Sequence, residues 1–183
     1  MLIVVQGASA TGKTTLPRKL AKDLNFGLLA KDDIKELLLD KLGNPENADR
    51  SAVYSRATMR AFFGIVDEWL NADSNRHLIL ESAFITEFAN EDFRLIRDKY
   101  DVSIVQIYVS VDSDERRLRL KKRNENGSRH PGHLELERSD VYDDEFAKKY
   151  SPLAIERTID IDTSHFDDKN YIELLEEIKK EVV

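Results

Sequence analysis

The chain has 183 residues, 41% of them hydrophobic and 34% charged, enough for a sizeable core under a heavily solvated surface, and a single domain is expected. Its net charge of −7 argues against general affinity for nucleic acid or anionic membrane, and it contains no cysteine, which excludes disulfides and thiolate metal sites. Met1 leads directly into an apolar run, leaving no room for a signal peptide, and no stretch approaches a membrane span; a cytoplasmic protein is expected.

Leu2, Ile3, Val4 and Val5 predict a buried strand. Gly7 and Gly12 then bracket Ala8, Ser9, Ala10 and Thr11, and Lys13, Thr14 and Thr15 follow, giving the spacing G-x-x-x-x-G-K-[ST]. In such a loop the backbone N–H groups converge on a single anion. The lysine reaches outer phosphates, the Thr14 hydroxyl is placed to ligate Mg²⁺, and the helix that follows presents its positive end. Residues 14–24 read as that helix, with Leu16, Leu20 and Leu24 on one face and Pro17 tolerated in its first turn.

Residues 26–30 are short and apolar, a second strand ending in Lys31, Asp32 and Asp33, and residues 34–42 carry a helical pattern that stops at Gly43. Carboxylates at a helix start are explained by capping and the helix dipole. At the carboxyl end of a strand beside a phosphate loop they also face the crevice where open α/β sheets bind ligands. Residues 49–70 predict a long helix whose Met59, Phe62, Phe63, Val66, Trp69 and Leu70 form a core stripe. Tyr54, Arg56 and Arg60 lie nearer its start, on a solvated face or toward an acceptor.

A third strand, residues 78–80, leads into Glu81, either an edge residue or a contact to metal or acceptor. Residues 88–100 are amphipathic and helical, and residues 102–109 read as a central parallel strand. The next helix, 112–123, crowds Arg116, Arg117, Arg119, Lys121, Lys122 and Arg123 into its second half, which suggests an anionic partner or a solvated face. Residues 124–133 have the composition of a mobile loop; His130 and His133 lack a third ligand at metal spacing. A charged helix over 135–150, a last strand within 154–161 and an amphipathic helix over 170–182 complete the chain. Strand, loop and helix repeated about five times predict a parallel sheet covered on both faces.

On these motifs the chain resembles the P-loop kinases, in the branch that includes polynucleotide 5′-kinases, chloramphenicol phosphotransferase and zeta-type toxins. The resemblance is carried by the 7–14 loop, by Lys31, Asp32, Asp33, Ile34 and Lys35, by Glu81, by the Arg119 and Arg123 pair, and by Asp162 and Thr163. It implies the three-layer P-loop NTPase fold, a five-stranded parallel sheet in the order 2-3-1-4-5, with a lid at about residues 119–135 between the last two strands. It also implies transfer of the ATP γ-phosphoryl group to a hydroxyl, with Mg²⁺ on Thr14, Lys13 on the phosphates and Asp32 taking the acceptor proton. Arg119 and Arg123 correspond to lid arginines, and Asp162 and Thr163 to a segment bordering adenine. Lys35, Arg56 and Glu81, with Asp32, line the expected acceptor pocket.

Three positions depart from the polynucleotide kinases. Lys31 and Lys35 stand where those enzymes usually carry Arg, and lysine cannot reproduce a bidentate grip on phosphate; Glu81 stands where Asp is common. A small-molecule acceptor with a hydroxyl is therefore expected, a nucleoside or polynucleotide 5′-hydroxyl being the alternative. A non-catalytic nucleotide switch is a third reading. It lacks support, since no Asn-Lys-x-Asp base-reading element occurs and the Asp40 to Gly43 match reads as a helix end.

Overall fold

The alternation of small apolar residues at the start of the chain sets up the whole molecule. In β1 (Leu2–Gln6), Ile3 and Val5 enter one hydrophobic cluster while Leu2 and Val4 enter another, so the strand is covered on both faces. The computed structural model describes residues 1–127, 129–134 and 142–182. With β2 (Gly27–Ala30), β3 (Leu78–Ser82), β4 (Ile104–Ser110) and β5 (Arg157–Asp162), it forms a parallel sheet in the order β2-β3-β1-β4-β5.

Helices α1 (Thr15–Leu24) and α7 (Asp168–Val182) lie over one face, burying Leu16, Leu20, Tyr171, Leu174 and Ile178 against Ile3, Val5, Ile107 and Val109. Helices α3 (Ala48–Ala72) and α4 (Thr86–Tyr100) cover the other, where Phe62, Phe84 and Phe93 meet edge-on at ring-centroid distances of 5.2–5.7 Å. The core stripe expected along α3 is present: Phe62, Val66 and Leu70 are buried. Helix α2 (Lys31–Leu42) packs on α3, and α5 (Ser113–Glu125) connects β4 to the segment before β5. Gly27 lies close to its neighbours: a Cβ there would meet the Leu78 side chain at 2.9 Å and the Trp69 ring at 3.2 Å, so a larger residue would make them shift.

The register brings the functional strand ends together. Val5 pairs with Glu81 on one side and Ile107 on the other, while Ala30 also pairs with Glu81. The loop after β1, the start of α2 and Glu81 thus share one carboxyl-terminal edge of the sheet, where the strand order turns about β1.

Several boundaries differ from expectation. Helix α2 begins at Lys31 rather than Ile34, so Asp32 and Asp33 sit inside its first turn and do not cap it; Ala30 is the N-cap and has no side chain to offer. Within the expected 135–150 helix, residues 135–141 lie outside the described residues. The rest holds only a short helix, α6 (Asp144–Ala147), and a 3₁₀ turn, Lys148–Tyr150. Of the expected lid, residues 119–125 belong to α5, residues 126–127 and 129–134 are described, and residues 128 and 135 are not. No helix among the described residues is long and apolar enough to cross a membrane.

Candidate active site

The loop between β1 and α1 is shaped by its glycines. A Cβ on Gly7 would stand 2.1 Å from the Val109 carbonyl oxygen, so only glycine lets the loop turn against β4. Gly12 has φ +91°, in the left-handed region, and Ala10 reaches φ 67°. Inside the loop, the Lys13 ammonium donates to Ala8 O at 2.9 Å and the Thr11 hydroxyl to Ala8 O at 3.0 Å. Thr14 is the N-cap of α1, yet its hydroxyl makes no capping bond, and Thr14 and Thr15 are exposed at the helix start. The donors and the positive helix end therefore suit an oxyanion with its metal.

Thr163, just beyond β5, ties this loop to the sheet. Its hydroxyl lies 2.7 Å from Thr11 O and 3.1 Å from Ser110 O, and accepts from Arg119 Nη1 at 2.9 Å. Arg119 Nη2 donates to Thr163 O at 2.9 Å and its Nε to Glu115 at 2.9 Å. Arg119, expected as a phosphate-closing lid arginine, here has its guanidinium engaged on the loop's support. Asp162 is exposed and accepts from Ser164 N at 2.9 Å.

Much of the basic cluster on α5 is likewise internal. Arg116 is buried and donates to Tyr142 O, Asp143 O and Asp144, and Arg117 pairs with Asp114 and Asp144. An anionic partner is not needed to explain these two. The positive charge of Arg123 acts on Lys13 in the loop.

Asp32, Glu81 and Lys13 form the electrostatic centre. Burial lowers the Lys13 pKa, while Glu81 and Asp32 work to restore its charged form. Glu81 is 4% exposed, and burial, together with Asp32 and Asp33, pushes its carboxyl up to about 7 against the pull of Lys13 and Arg129. Burial would raise Asp32 too, but Lys31 and Arg129 outweigh it and hold Asp32 well below the usual carboxylate range. Lys31 Nζ lies 3.1 Å from Asp32 Oδ1, and Arg129 Nη2 lies 2.6 Å from Oδ2. Asp33 faces away, bound by Arg18 at 2.7 and 2.8 Å.

The remaining expected acceptor residues divide. Lys35 is buried, its ammonium 3.1 Å from Ser51 Oγ on α3. Arg56 is exposed and has no hydrogen bond or ion pair among the described residues, so the structure gathers it with nothing. What the motifs did not reveal is Arg129. It comes from a polar stretch bracketed by Gly127 and Gly132, and an arginine there, after a basic helix, was the available signal. His130 and His133 do not face a common centre: they lie 3.2 Å from Asp40 and 2.8 Å from Glu36. Among the described residues no group of three His, Cys, Asp or Glu could hold a metal.

The sheet order, the glycine-bracketed loop and the carboxylates on the adjoining strand ends define a P-loop NTPase fold of the kinase type. A family model described as an AAA domain matches residues 2–148, and the chain belongs to that family. Among solved structures, a protein of Chloroflexus aurantiacus j-10-fl assigned as a kinase is 26% identical, with a TM-score of 0.83 over 98% of this chain and 96% of that one. Kti12 of Chaetomium thermophilum, solved with ADP-AlF3, is 14% identical with a TM-score of 0.68 over the full length of both chains. The APS kinase CysC of Mycobacterium tuberculosis, solved with AMPPNP and APS, is 13% identical with a TM-score of 0.59, covering 97% and 96%. No curated protein matches the chain in sequence.

Proposed function

We propose that this protein, as one kinase domain over residues 1–183, is an ATP-dependent phosphotransferase acting on a hydroxyl of a small-molecule acceptor. The observation that carries the reading is the pairing, at one sheet edge, of the Lys13 loop with an ionised carboxylate, Asp32, whose charge acts directly on Lys13. The N–H groups of residues 7–15 and Lys13 would hold the nucleotide phosphates, Thr14 would ligate Mg²⁺, and Asp162 and Thr163 would border adenine. Bound ATP with Mg²⁺ would supply the transferable phosphoryl group and part of the charge neutralisation that phosphoryl transfer requires.

The chain's own residues do the rest. Asp32 orients the acceptor hydroxyl and takes its proton at a carboxylate oxygen, a task that needs no raised pKa when the proton leaves late. Arg123 adds positive charge near the outer phosphates. Glu81 and Lys35 border the acceptor. Arg119 serves the site by holding Thr163 and, through it, the loop. Relatives solved with ADP-AlF3 and AMPPNP support nucleotide binding, and the kinases of shikimate and gluconate among the structural neighbours support a small acceptor.

The test is ADP release by the purified protein across nucleosides, sugars, aminoglycosides, amphenicols and 5′-hydroxyl oligonucleotides. Acceptor-dependent release with a small molecule is expected. Release with the oligonucleotides alone would move the assignment to a polynucleotide kinase, and ATP binding without release under any condition would argue for a switch.

A further inference from the structure

We propose that Arg129, His133 and Glu36 form a hydrogen-bonded chain that positions the Asp32 carboxylate for the acceptor, with Arg129 as its positioning residue. The inference rests on the reading of Asp32 as the proton acceptor. It begins with one nitrogen: Arg129 Nη2 lies 2.6 Å from Asp32 Oδ2 and 3.1 Å from His133 Nδ1. That nitrogen carries two hydrogens, one for each neighbour, and a guanidinium has no lone pair to accept with. His133 Nδ1 is therefore the acceptor, and the ring proton is on Nε2, which donates to Glu36 Oε1 at 2.8 Å. Glu36 also attracts Arg129 Nη1 at 3.7 Å. Glu36 thus binds the guanidinium directly and through the imidazole, while Arg129 grips Asp32.

The segment that carries Arg129 is seated, so the chain has a rigid frame. A Cβ on Gly132 would meet Leu39 Cδ1 at 2.6 Å and Asn44 Oδ1 at 2.7 Å, which shows how closely its backbone lies against α2 and the loop after it. His133 is 9% exposed, and His130 lies 3.2 Å from Asp40 one turn further along the same helix. Glu36 and Asp40 are four residues apart, on one face of α2, and each meets one of the two histidines. Asp32 stands a further turn back on that face. The frame accounts for three side chains whose types turn chemistry alone leaves arbitrary.

Electrostatics agree. Burial, and then Arg129, lower the His133 pKa to about 3, which keeps the imidazole neutral and able to accept. The titratable and charged groups facing Asp32 are Lys31 on its own helix, Lys13 from the phosphate loop, Glu81 from β3, and Arg129 with the neutral His133 from the 129–134 segment; Asp33 is turned to Arg18. Removing Arg129 leaves Lys31 and Lys13 to oppose burial, so the Asp32 pKa must rise. An acid limb of activity due to Asp32 then moves to higher pH.

The experiment uses the full chain without ligand first. Long-range ¹H–¹⁵N NMR of the imidazoles should find His133 in the Nε2–H form and neutral at pH 5. Carboxyl ¹³C NMR should find Asp32 ionised well below its ordinary value of about 3.9. In Arg129→Ala the Asp32 titration should shift upward, with His77 signals unchanged as the control for folding. With an acceptor from the panel above, Arg129→Ala should lower kcat by up to about 10²-fold with little change in KM for ATP. Arg129→Lys should restore the pH limb but not the full rate, because it returns the charge without the fork.

An Nδ1–H tautomer in the wild type, or an Asp32 titration indifferent to Arg129→Ala, overturns the chain. A faster Arg129→Ala enzyme overturns it as well, because Arg129 would then obstruct Asp32. If the NMR results hold while Asp32→Asn keeps full activity, the chain stands as a structural feature and the reading of Asp32 as base fails.

Discussion

Replacing Glu81 by glutamine should stabilise the protein at neutral and alkaline pH and leave it nearly unchanged in acid. Glu81 sits in the sheet with Val5 on one side and Ala30 on the other, 4% exposed, and burial raises its pKa from an ordinary 4.5 to about 7. Between those two values the folded state holds a proton that the unfolded chain has released. Folding stability therefore falls as pH rises through that window and levels off above it. At about 1.4 kcal/mol per pH unit, the full loss is about 3 kcal/mol. Glutamine keeps the shape and never ionises, so the stability difference between Glu81→Gln and wild type should grow by about 3 kcal/mol from pH 4.5 to pH 8. Urea unfolding of both proteins at a series of pH values measures this difference, and groups that do not interact with Glu81 cancel. Parallel stability curves across the window would mean that Glu81 titrates alike in the folded and the unfolded chain.

The phosphate loop and its supports give further predictions. Lys13→Ala should weaken nucleotide binding by calorimetry and abolish transfer, and unchanged affinity with unchanged activity would remove the loop from the account. Arg123→Ala should reduce turnover more than ATP affinity, by about 3 kcal/mol of transition-state stabilisation if it supplies one charge contact. Arg119→Ala should do the reverse, because its bonds to Thr163 order the loop; thermal unfolding should also show a loss of about 1–3 kcal/mol. Equal kinetic effects of the two variants would contradict this division. Asp33→Asn breaks a pair whose partners are each 52% exposed, so stability by urea titration should change by less than about 1 kcal/mol and activity only modestly.

Much of the fold was legible because parallel strands buried on both faces leave continuous apolar runs, as in Leu2 to Val5, and the α3 stripe keeps helical spacing. The phosphate loop was legible because its conformation demands glycine at set positions. Helix starts were harder. Asp32 and Asp33 look like caps, yet α2 starts directly at Lys31, which moves them into the first turn and leaves Asp33 to Arg18.

The α5 arginines show a different limit. Composition reveals six basic residues between positions 116 and 123, but only tertiary structure reveals that Arg116 turns inward to Asp144 and Arg119 to Thr163. Arg129 escaped for a related reason. Its meaning depends on contacts 97 residues away in sequence, to Asp32, that no local pattern encodes.

An ionised Asp32 beside the Lys13 loop should be indispensable to phosphoryl transfer, and Asp32→Asn removes its charge while keeping its shape. Initial rates of ADP release should be measured for wild type and variant with Mg²⁺, ATP and the best acceptor of the panel, alongside ATP affinity by calorimetry. Unchanged or slightly tighter ATP binding is expected, with a rate lowered by about 10²-fold or more. An Asp32→Asn enzyme that binds ATP and releases ADP at the wild-type rate would mean that Asp32 takes no part in the transfer.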